Sequence, residues 1–454
     1  MLKVMKFGGT SVGSGDALER AANVIAGDEA KRVVVVSAMS GVTNSLISWM
    51  SEPGPAGELV KELKEKYMSA VRSRLTNYLA SYASQLEAKT DALVDRMEHY
   101  RHHPDPVLHD TIASWGERMS SLTMAFLLRN KEMDAVAMTA EEAGIVAAGA
   151  PGNGSADLEA TSKNLKNRII PLIGAGRVPI ITGYYGCDRN GKPLTFGRGG
   201  SDYSASVIAY GLDADCLEIW TDVDGFMTAD PRIVKGARTI VEMDYGEAAE
   251  LAYFGAKVLH PRSIEPARRK RIKLAVRNTF NPEGTGTTIH DLRSHGKDLL
   301  RSVAMKQDLS IVKVYSSEIV YYPRFVSNLL NSITENGANA YAISTSLSTL
   351  AVVVPSSDVR QVLTRIKDQG ENRIEKLTVK DKVSLICAVG DNMINTQGAA
   401  ARIFEAVDEV GANVELISEG ASDVALNFVV PGDKAVEVVR KLHDKFIGDR
   451  DEGV

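Results

Sequence analysis

The residues best suited to chemistry begin almost at the N-terminus. There Val4-Met5-Lys6-Phe7-Gly8-Gly9-Thr10-Ser11 joins an apolar run ending in a lysine to two glycines and two hydroxyl residues. The pattern predicts a strand that stops at an amide-rich turn and opens a helix. Glycine permits φ > 0 and lets a ligand approach the main chain, while successive N–H groups and the positive end of a helix favour phosphate. Lys6 supplies a full positive charge. The same residues suit a plain tight turn, and they match neither G-x-x-x-x-G-K-[ST] nor G-x-G-x-x-G. Downstream partners have to decide.

Three further clusters supply candidates. Ser114-Trp115-Gly116-Glu117-Arg118-Met119-Ser120 leads an apolar helix, and Glu117 suits a solvated helix carboxylate or a ligand contact. Thr195-Phe196-Gly197-Arg198-Gly199-Gly200-Ser201-Asp202-Tyr203-Ser204 brackets Arg198 with glycines and leads into a helix from Ala205 to Gly211. Arginine donates two parallel hydrogen bonds to a carboxylate and aspartate suits an ammonium group, so the pair reads as a clamp for an amino acid. The alternative is an N-cap at Ser201 or Asp202 with glycines making the connection. Finally, the strand Cys216–Trp220 delivers Thr221-Asp222-Val223-Asp224-Gly225-Phe226-Met227-Thr228-Ala229-Asp230-Pro231-Arg232, a loop rich in acceptors that suits a nucleotide's ribose and phosphates. Its acidic spacing lacks the twelve-residue EF-hand pattern.

The elements around these clusters read as α/β. Arg32-Val33-Val34-Val35-Val36-Ser37 is a buried parallel strand, and Leu18, Ala22 and Ile25 mark a helix over Asp16–Ala26, which makes a βαβ unit. The hydroxyl-rich loop Ser37–Asn44 and the Lys6–Ser11 turn both fall beyond carboxyl ends of strands, where one ligand can meet both. After Pro53-Gly54-Pro55, apolar residues from Leu59 to Leu86 recur at threes and fours and predict one or two long helices within 51–105. His99, His102 and His103 read as a solvated helix end rather than a metal site. Val178–Tyr184 is a buried strand, Asp188-Arg189-Asn190-Gly191 a hairpin turn, and Ile272–Val276 one more strand.

At 454 residues the chain is long enough for two to four domains. A 44% apolar share, 24% charged residues and a net charge of −5 describe a globular protein and argue against nucleic acid as its main partner. Cys187, Cys216 and Cys387 are sparse and unpaired by motif, which fits a reducing compartment. A first strand at residue 2 leaves no room for a leader, and no apolar run nears the roughly 18 residues of a membrane span. A cytoplasmic location with no membrane partner is expected.

Together, Lys6–Ser11, Ser114–Ser120, Gly197–Ser204, Trp220–Arg232 and Phe254–Pro261 stand in the order and spacing of aspartate kinase, and residues 1 to about 290 resemble that member of the amino-acid kinase family. The resemblance implies a three-layer α/β sandwich with a mainly parallel sheet over 1–295, and ATP-dependent phosphorylation of the L-aspartate side chain with Mg²⁺. It implies that Lys6, Phe7, Gly8 and Gly9 cradle phosphate, with Lys6 and Asp202 catalytic. It gives Ser40, Thr43, Glu117, Arg198, Gly199, Ser201 and Asp202 to aspartate, and Thr221, Asp222, Met227, Arg232, Lys257 and Val258 to the nucleotide. No separate protein metal-ligand set is expected. Met227 stands where the family commonly has a tyrosine. The rival readings are another kinase of the family, acting on glutamate derivatives or a nucleoside monophosphate, and a catalytically silent amino-acid sensor.

The last third carries a repeat. Gly337-Ala338-Asn339 with Ile343-Ser344 returns as Gly411-Ala412-Asn413 with Ile417-Ser418, 74 residues on. Each copy reads strand, helix, strand, a strand ending in Val-Val-Pro, helix, which predicts two βαββαβ modules at 302–375 and 380–450. They resemble ACT domains of ferredoxin-like fold. That implies a homodimer or dimer of dimers and an amino-acid effector, lysine or threonine; the alternative is a purely structural dimerisation unit. The first copy lacks the usual glycine-rich turn over Tyr315–Phe325, and the second has Ser422-Asp423-Val424-Ala425 where Ser-Glu-x-Asn is common.

Overall fold

The computed structural model describes residues 1–255, 258–291, 299–334, 339–369, 373–390, 393, 396–420 and 422–448. It divides into two compact units: Met1–Phe226 with Val241–Tyr245 and Val258–Leu292, and Met227–Ile240 with Gly246–Lys257 and Arg293–Val454. Lys257, Gly337, Ala338 and the polar link near Ser294–Lys297 lie outside the described residues.

The first unit is built on β1 (Leu2–Phe7), β2 (Lys31–Val36), β3 (Ala135–Met138), the hairpin β4 (Ala147–Ala150) and β5 (Asn153–Ala156), β6 (Val178–Thr182), the hairpin β7 (Tyr185–Cys187) and β8 (Pro193–Thr195), β9 (Cys216–Thr221), β10 (Glu242–Asp244), β11 (Lys273–Asn278) and β12 (Thr287–His290). Its main sheet has the order β10-β12-β11-β9-β1-β2-β6-β3, parallel except between β11 and β12. The β-branched run of β2 is buried on both faces because helices cover both. One layer holds Gly15–Gly27 and Trp115–Arg129, and the other holds Gly200–Gly211, which packs on β1 and β9. This is the three-layer sandwich the resemblance implies.

Two long helices, Ala56–Val71 and Leu79–His102, account for the segment at 51–105, and their Leu63, Tyr67, Tyr82, Leu86 and Leu93 join one apolar core with the Trp115–Arg129 helix. His99, His102 and His103 end the second of them in an exposed or surface setting. Among the described residues no helix is long and apolar enough to cross a membrane.

In the second unit β13 (Ser302–Tyr315), β14 (Ala342–Thr345), β15 (Thr349–Pro355), β16 (Lys376–Val389), β17 (Leu416–Ser418) and β18 (Ala425–Pro431) form one sheet, ordered β14-β15-β13-β16-β18-β17. The first module is a continuous βαββαβ: Leu309–Tyr315 of β13, helix Pro323–Thr334, β14, β15, helix Val359–Gln369 and Lys376–Lys380 of β16. The second differs from the expected 380–450 segment. After Val383–Val389, helix Ala399–Asp408, β17, β18 and helix Ala435–Phe446, its sixth strand is Ser302–Lys306, which lies before the first module. The repeat is visible in sequence because each copy carries five elements; the sixth is shared out by two strands that run through both modules.

Each module has its own core under its helices, Val312, Val352 and Leu329 in one and Ile386, Phe428 and Leu442 in the other. The alternate residues Ile311, Val353, Leu385, Cys387 and Val429 are also buried. The outermost strands β14 and β17 come into contact, so the sheet folds over on itself along the long strands.

Leu86 is fully buried on the helix Leu79–His102, which itself carries none of the predicted site residues. Leu86→Ala is expected to lower unfolding free energy by about 2–5 kcal/mol in urea denaturation, while kcat at 25 °C stays near wild type.

Candidate active site

Lys6 is the penultimate residue of β1, flanked in the sheet by Val35 of β2 and Ile219 of β9. Its side chain is buried, with Nζ 2.5 Å from Asp202 Oδ1. That oxygen has no aligned hydrogen-bond donor, so the contact is charge pairing. Asp202 lies in the first turn of Gly200–Gly211, where the helix dipole favours a carboxylate. The helix thus starts five residues earlier than the sequence suggests. Its N-cap is Gly199 at φ +69°, with no side-chain cap, which removes Ser201 and Asp202 as capping residues.

The turn after β1 does not follow the expected backbone. Neither Gly8 nor Gly9 has positive φ, and the next helix waits until Gly15. The Gly8 amide donates to the Trp220 carbonyl at 3.0 Å, while Val12 N–H and Gly13 N–H close back on Gly8 and Thr10. Among the described residues the amides of Gly9, Thr10 and Ser11 have no protein acceptor, so three successive N–H groups form an anion nest. Glycine is needed here for close approach between loops. A Cβ on Gly9 would lie 3.2 Å from the Ala38 carbonyl, and one on Gly13 2.7 Å from Ser40 Oγ.

Ser40 Oγ donates to the Gly9 carbonyl at 2.9 Å, joining the two loops that the sequence placed at neighbouring strand ends. Thr43 is half-buried in the first turn of helix Val42–Ser51. Tyr67, from the long helices, accepts from Met39 N–H and donates to the Gly116 carbonyl at 2.9 Å, tying this loop to the start of helix Trp115–Arg129.

Glu117, in the first turn of that helix, is only 3% exposed. Oε1 accepts from Ala38 N–H at 3.1 Å, and Oε2 is buried without a partner. Burial pushes its pKa up to about 8, against the Ala38 amide and the charges of Lys6 and Arg118, which favour the ionised form. The solvated alternative is therefore excluded.

Arg198 is exposed between Gly197 and Gly199, both at positive φ. Residues that the sequence reading left without a role hold this loop. Asp110, fully buried, accepts from Thr195 N–H and Gly152 N–H, each at 2.8 Å. Arg262 donates to the Phe196 carbonyl at 3.1 Å, the Gly154 carbonyl at 2.5 Å and Ser155 Oγ at 2.7 Å, and its guanidinium lies 4.4 Å from the centre of the Tyr203 ring. His260 packs against Gly199, whose missing Cβ would meet it at 2.3 Å. Burial lowers the His260 pKa, as do Arg262 and Arg198, while Asp202 opposes them. The only sequence signal for Arg262 is its place next to the Phe254–Pro261 motif.

Of the residues expected at the nucleotide, Thr221 ends β9, with Oγ1 donating to Asp222 at 3.1 Å and its carbonyl accepting from Thr279 N–H. Asp222 is exposed, and Asp224 accepts from Asn278 and Asn281. Phe7 stacks on Trp220 with ring centroids 5.9 Å apart. Val258 is half-buried in the first unit. Met227 and Arg232 belong to the second unit, where Met227 bridges to Thr239 and Arg232 forks onto Asp230. The first unit thus brings Lys6, the Gly9–Ser11 nest, Ser40, Glu117, Asp202 and Thr221 to the carboxyl ends of β1, β2 and β9.

A sequence model of the amino acid kinase family matches residues 1–278, and one of the ACT domain matches 386–446. The chain belongs to the amino acid kinase family. It is 30% identical to lysine-sensitive aspartokinase 3 of Escherichia coli over 97% of this chain and 98% of that one, and 30% identical to chloroplastic aspartokinase 1 of Arabidopsis thaliana over 99% and 80%. The solved structure of E. coli aspartokinase III with aspartate and ADP, described as the R-state, superposes with a TM-score of 0.84 at 29% identity, covering 98% of this chain and 99% of that one. The same enzyme with lysine and aspartate, the T-state, gives 0.83. Within its family the chain falls among the aspartokinases.

Glu117 keeps its proton in the folded chain to about pH 8, whereas an exposed glutamate loses it near 4.5. Between these values the unfolded chain binds fewer protons, so this group makes stability fall as pH rises, and the fall levels off above 8. Glu117→Gln keeps an acceptor for Ala38 N–H. It is expected to flatten the stability difference between pH 5 and 8 by an amount on the order of a few kcal/mol, read from urea melts at the two pH values.

Proposed function

We propose that this chain is an aspartate kinase that transfers the γ-phosphoryl group of ATP to the side-chain carboxylate of L-aspartate, giving 4-phospho-L-aspartate, and that residues 1–295 form its catalytic domain. The observation that carries the reading is the buried Lys6 ammonium beside an anion nest at the end of the central strand, with Asp202 against it. The aspartokinase relationship supplies the acceptor.

An aspartate carboxylate is ionised at neutral pH, so no general base is required. A carboxylate oxygen attacks the γ-phosphorus, the bond to the β,γ-bridging oxygen breaks, and ADP leaves. The difficulty is the approach of an anion to a polyanion, which positioning and charge neutralisation relieve. Lys6 places a cation at the transferred group, and the Gly9, Thr10 and Ser11 amides donate to phosphate oxygens. Asp202 holds Lys6 in place in the free chain. Arg198 takes the α-carboxylate, while the unpartnered Oε2 of Glu117 takes the α-ammonium with help from Thr43, Ser40, Gly199 and Ser201. Thr221, Asp222 and Val258 contact the nucleotide, and the family resemblance gives the same role to Met227, Arg232 and Lys257.

Mg²⁺ bound with the nucleotide would offset the charge of its phosphates. It is commonly held by one or two carboxylates besides the phosphates and water, and Asp202, whose Oδ1 is paired with Lys6 at 2.5 Å, would hold it through its other carboxylate oxygen. Among the described residues no group of three or more His, Cys, Asp or Glu forms a cage of its own.

The modules proposed at 302–375 and 380–450 are regulatory, and a second copy of the chain pairs with them. Support for pairing comes from the exposed Val320, Tyr321, Tyr322, Ile343 and Leu347 of the first module. Lysine or threonine is the proposed effector.

With ATP, Mg²⁺ and L-aspartate, hydroxylamine should trap the acyl phosphate as the hydroxamate, and glutamate should give little. Lys6→Ala is expected to lower kcat by about 10²–10³ while the aspartate KM moves far less. Near-normal turnover in that variant would remove Lys6 from the chemistry.

A further inference from the structure

The helical segment at 51–105 carries none of the residues expected to touch substrate, yet its first long helix, Ala56–Val71, sets two consecutive side chains on the loop after β2. Tyr67 is fully buried, and its hydroxyl has every hydrogen-bonding direction in use. It accepts from Met39 N–H at 3.3 Å, donates to the Gly116 carbonyl at 2.9 Å, and lies 3.0 Å from Ser120 Oγ, which can donate to it. Burial raises its pKa above that of an exposed phenol, against the Ser120 and Met39 bonds and together with the Glu117 carboxylate, so the phenol keeps the proton it donates. Lys66, one residue earlier, donates from Nζ to the Ser40 carbonyl at 2.5 Å.

The loop held in this way stands between the two ends of the site. Ala38 N–H donates to Glu117 Oε1 at 3.1 Å, and Ser40 Oγ donates to the Gly9 carbonyl at 2.9 Å, where the anion nest begins. Ala38 and Gly116 are in direct contact, since a Cβ on Gly116 would lie 2.5 Å from the Ala38 Cβ and 3.0 Å from Val42 Cγ1. Residues 38–39 are therefore tied to residues 116–117 twice, once through the Glu117 carboxyl and once through the Tyr67 phenol. The two ties differ in kind. Glu117 is the group proposed to receive the α-ammonium, so its bond to Ala38 competes with a ligand, whereas Tyr67 is closed to solvent and serves the loop alone. Among the described residues, the hydrogen bonds that reach Ala38–Ser40 from outside the Ser37–Asn44 stretch involve Glu117, Tyr67, Lys66 and Gly9.

Transfer between an ionised carboxylate and a nucleotide phosphate is governed by how well the two are positioned. We propose that Tyr67 is a positioning residue for this transfer: with Lys66 it holds the loop Ala38–Ser40 so that an acceptor bound at Glu117 stands in reach of a phosphate bound at the Gly9–Ser11 amides. The helical segment then belongs to the catalytic apparatus without touching substrate. The inference rests on the reading of Glu117 as an acceptor contact.

The test is steady-state kinetics of the full chain with ATP, Mg²⁺ and L-aspartate, with Leu86→Ala as the structural control. Tyr67→Phe keeps the ring and removes only the hydroxyl; it should lower kcat/KM for aspartate by about tenfold or more while the KM for ATP moves by less than about twofold. Leu86→Ala should lose at least as much stability in urea and shift neither parameter. Lys66→Met, on the exposed side of the loop, should lower kcat/KM for aspartate by about threefold, with recovery in Lys66→Arg. An unchanged aspartate kcat/KM in Tyr67→Phe overturns the role, as does a loss shared equally with ATP or reproduced by Leu86→Ala. If Tyr67→Phe does not fold, Lys66→Met decides, and wild-type kinetics there overturn the role. Glu117→Gln separates this inference from the reading beneath it. A raised aspartate KM in Glu117→Gln beside an unchanged Tyr67→Phe removes Tyr67 alone, whereas a wild-type aspartate KM in Glu117→Gln removes Glu117 from the acceptor site and the positioning role with it.

Discussion

A cation held out of water at the end of a central strand is the constraint on which the catalytic unit depends. Lys6 is enclosed by the sheet and by the helix that begins at Gly200, and an uncompensated ammonium there would cost far more than the strand contributes. Asp202 compensates it, which requires the helix to start early and Gly199 to take a left-handed conformation. His260 then occupies the space that a side chain at Gly199 would need. The glycines around Arg198 thus serve the position of Lys6 as well as that of Arg198.

Glu117 is the counterpart on the neighbouring loop. It too is enclosed, yet no cation is paired with it directly, so its carboxyl holds its proton more firmly than an exposed one. One charged residue with a partner and one carboxyl without leave the site poised for a ligand that brings its own charges. Tyr67 extends this order outward: a fully buried phenol from the long helical segment fixes the loop that carries Ser40.

The parts legible in the sequence were those specified by local pattern. β-Branched runs, the βαβ rhythm, the long helices and the repeat all appear in short windows, and the co-ordered motifs include Lys6, Glu117 and Asp202, which the fold brings to neighbouring strand ends. What the sequence did not show depends on distant pairs. Asp110 braces Thr195, and Arg262 reaches Gly154 and Phe196, through contacts separated by tens to more than a hundred residues. The use of Gly9 and Gly13 for contact between loops, not for positive φ, likewise appears only once β1 and β2 are side by side. Met227 and Arg232 read as one loop with Thr221, yet they belong to the other compact unit.

The long strands β13 and β16 have a consequence for how the polypeptide can be divided. The opening half of β13 finds its partner only when residues 385–389 exist, after the whole first module has been synthesised. The second module is in effect a circular permutation of the first, its final strand made before its other five elements. No single scission of the chain releases two complete modules: a cut ahead of the first strips the second of an edge, and a cut between them severs a continuous strand. The repeats are a pair in sequence but one indivisible piece of protein in the fold.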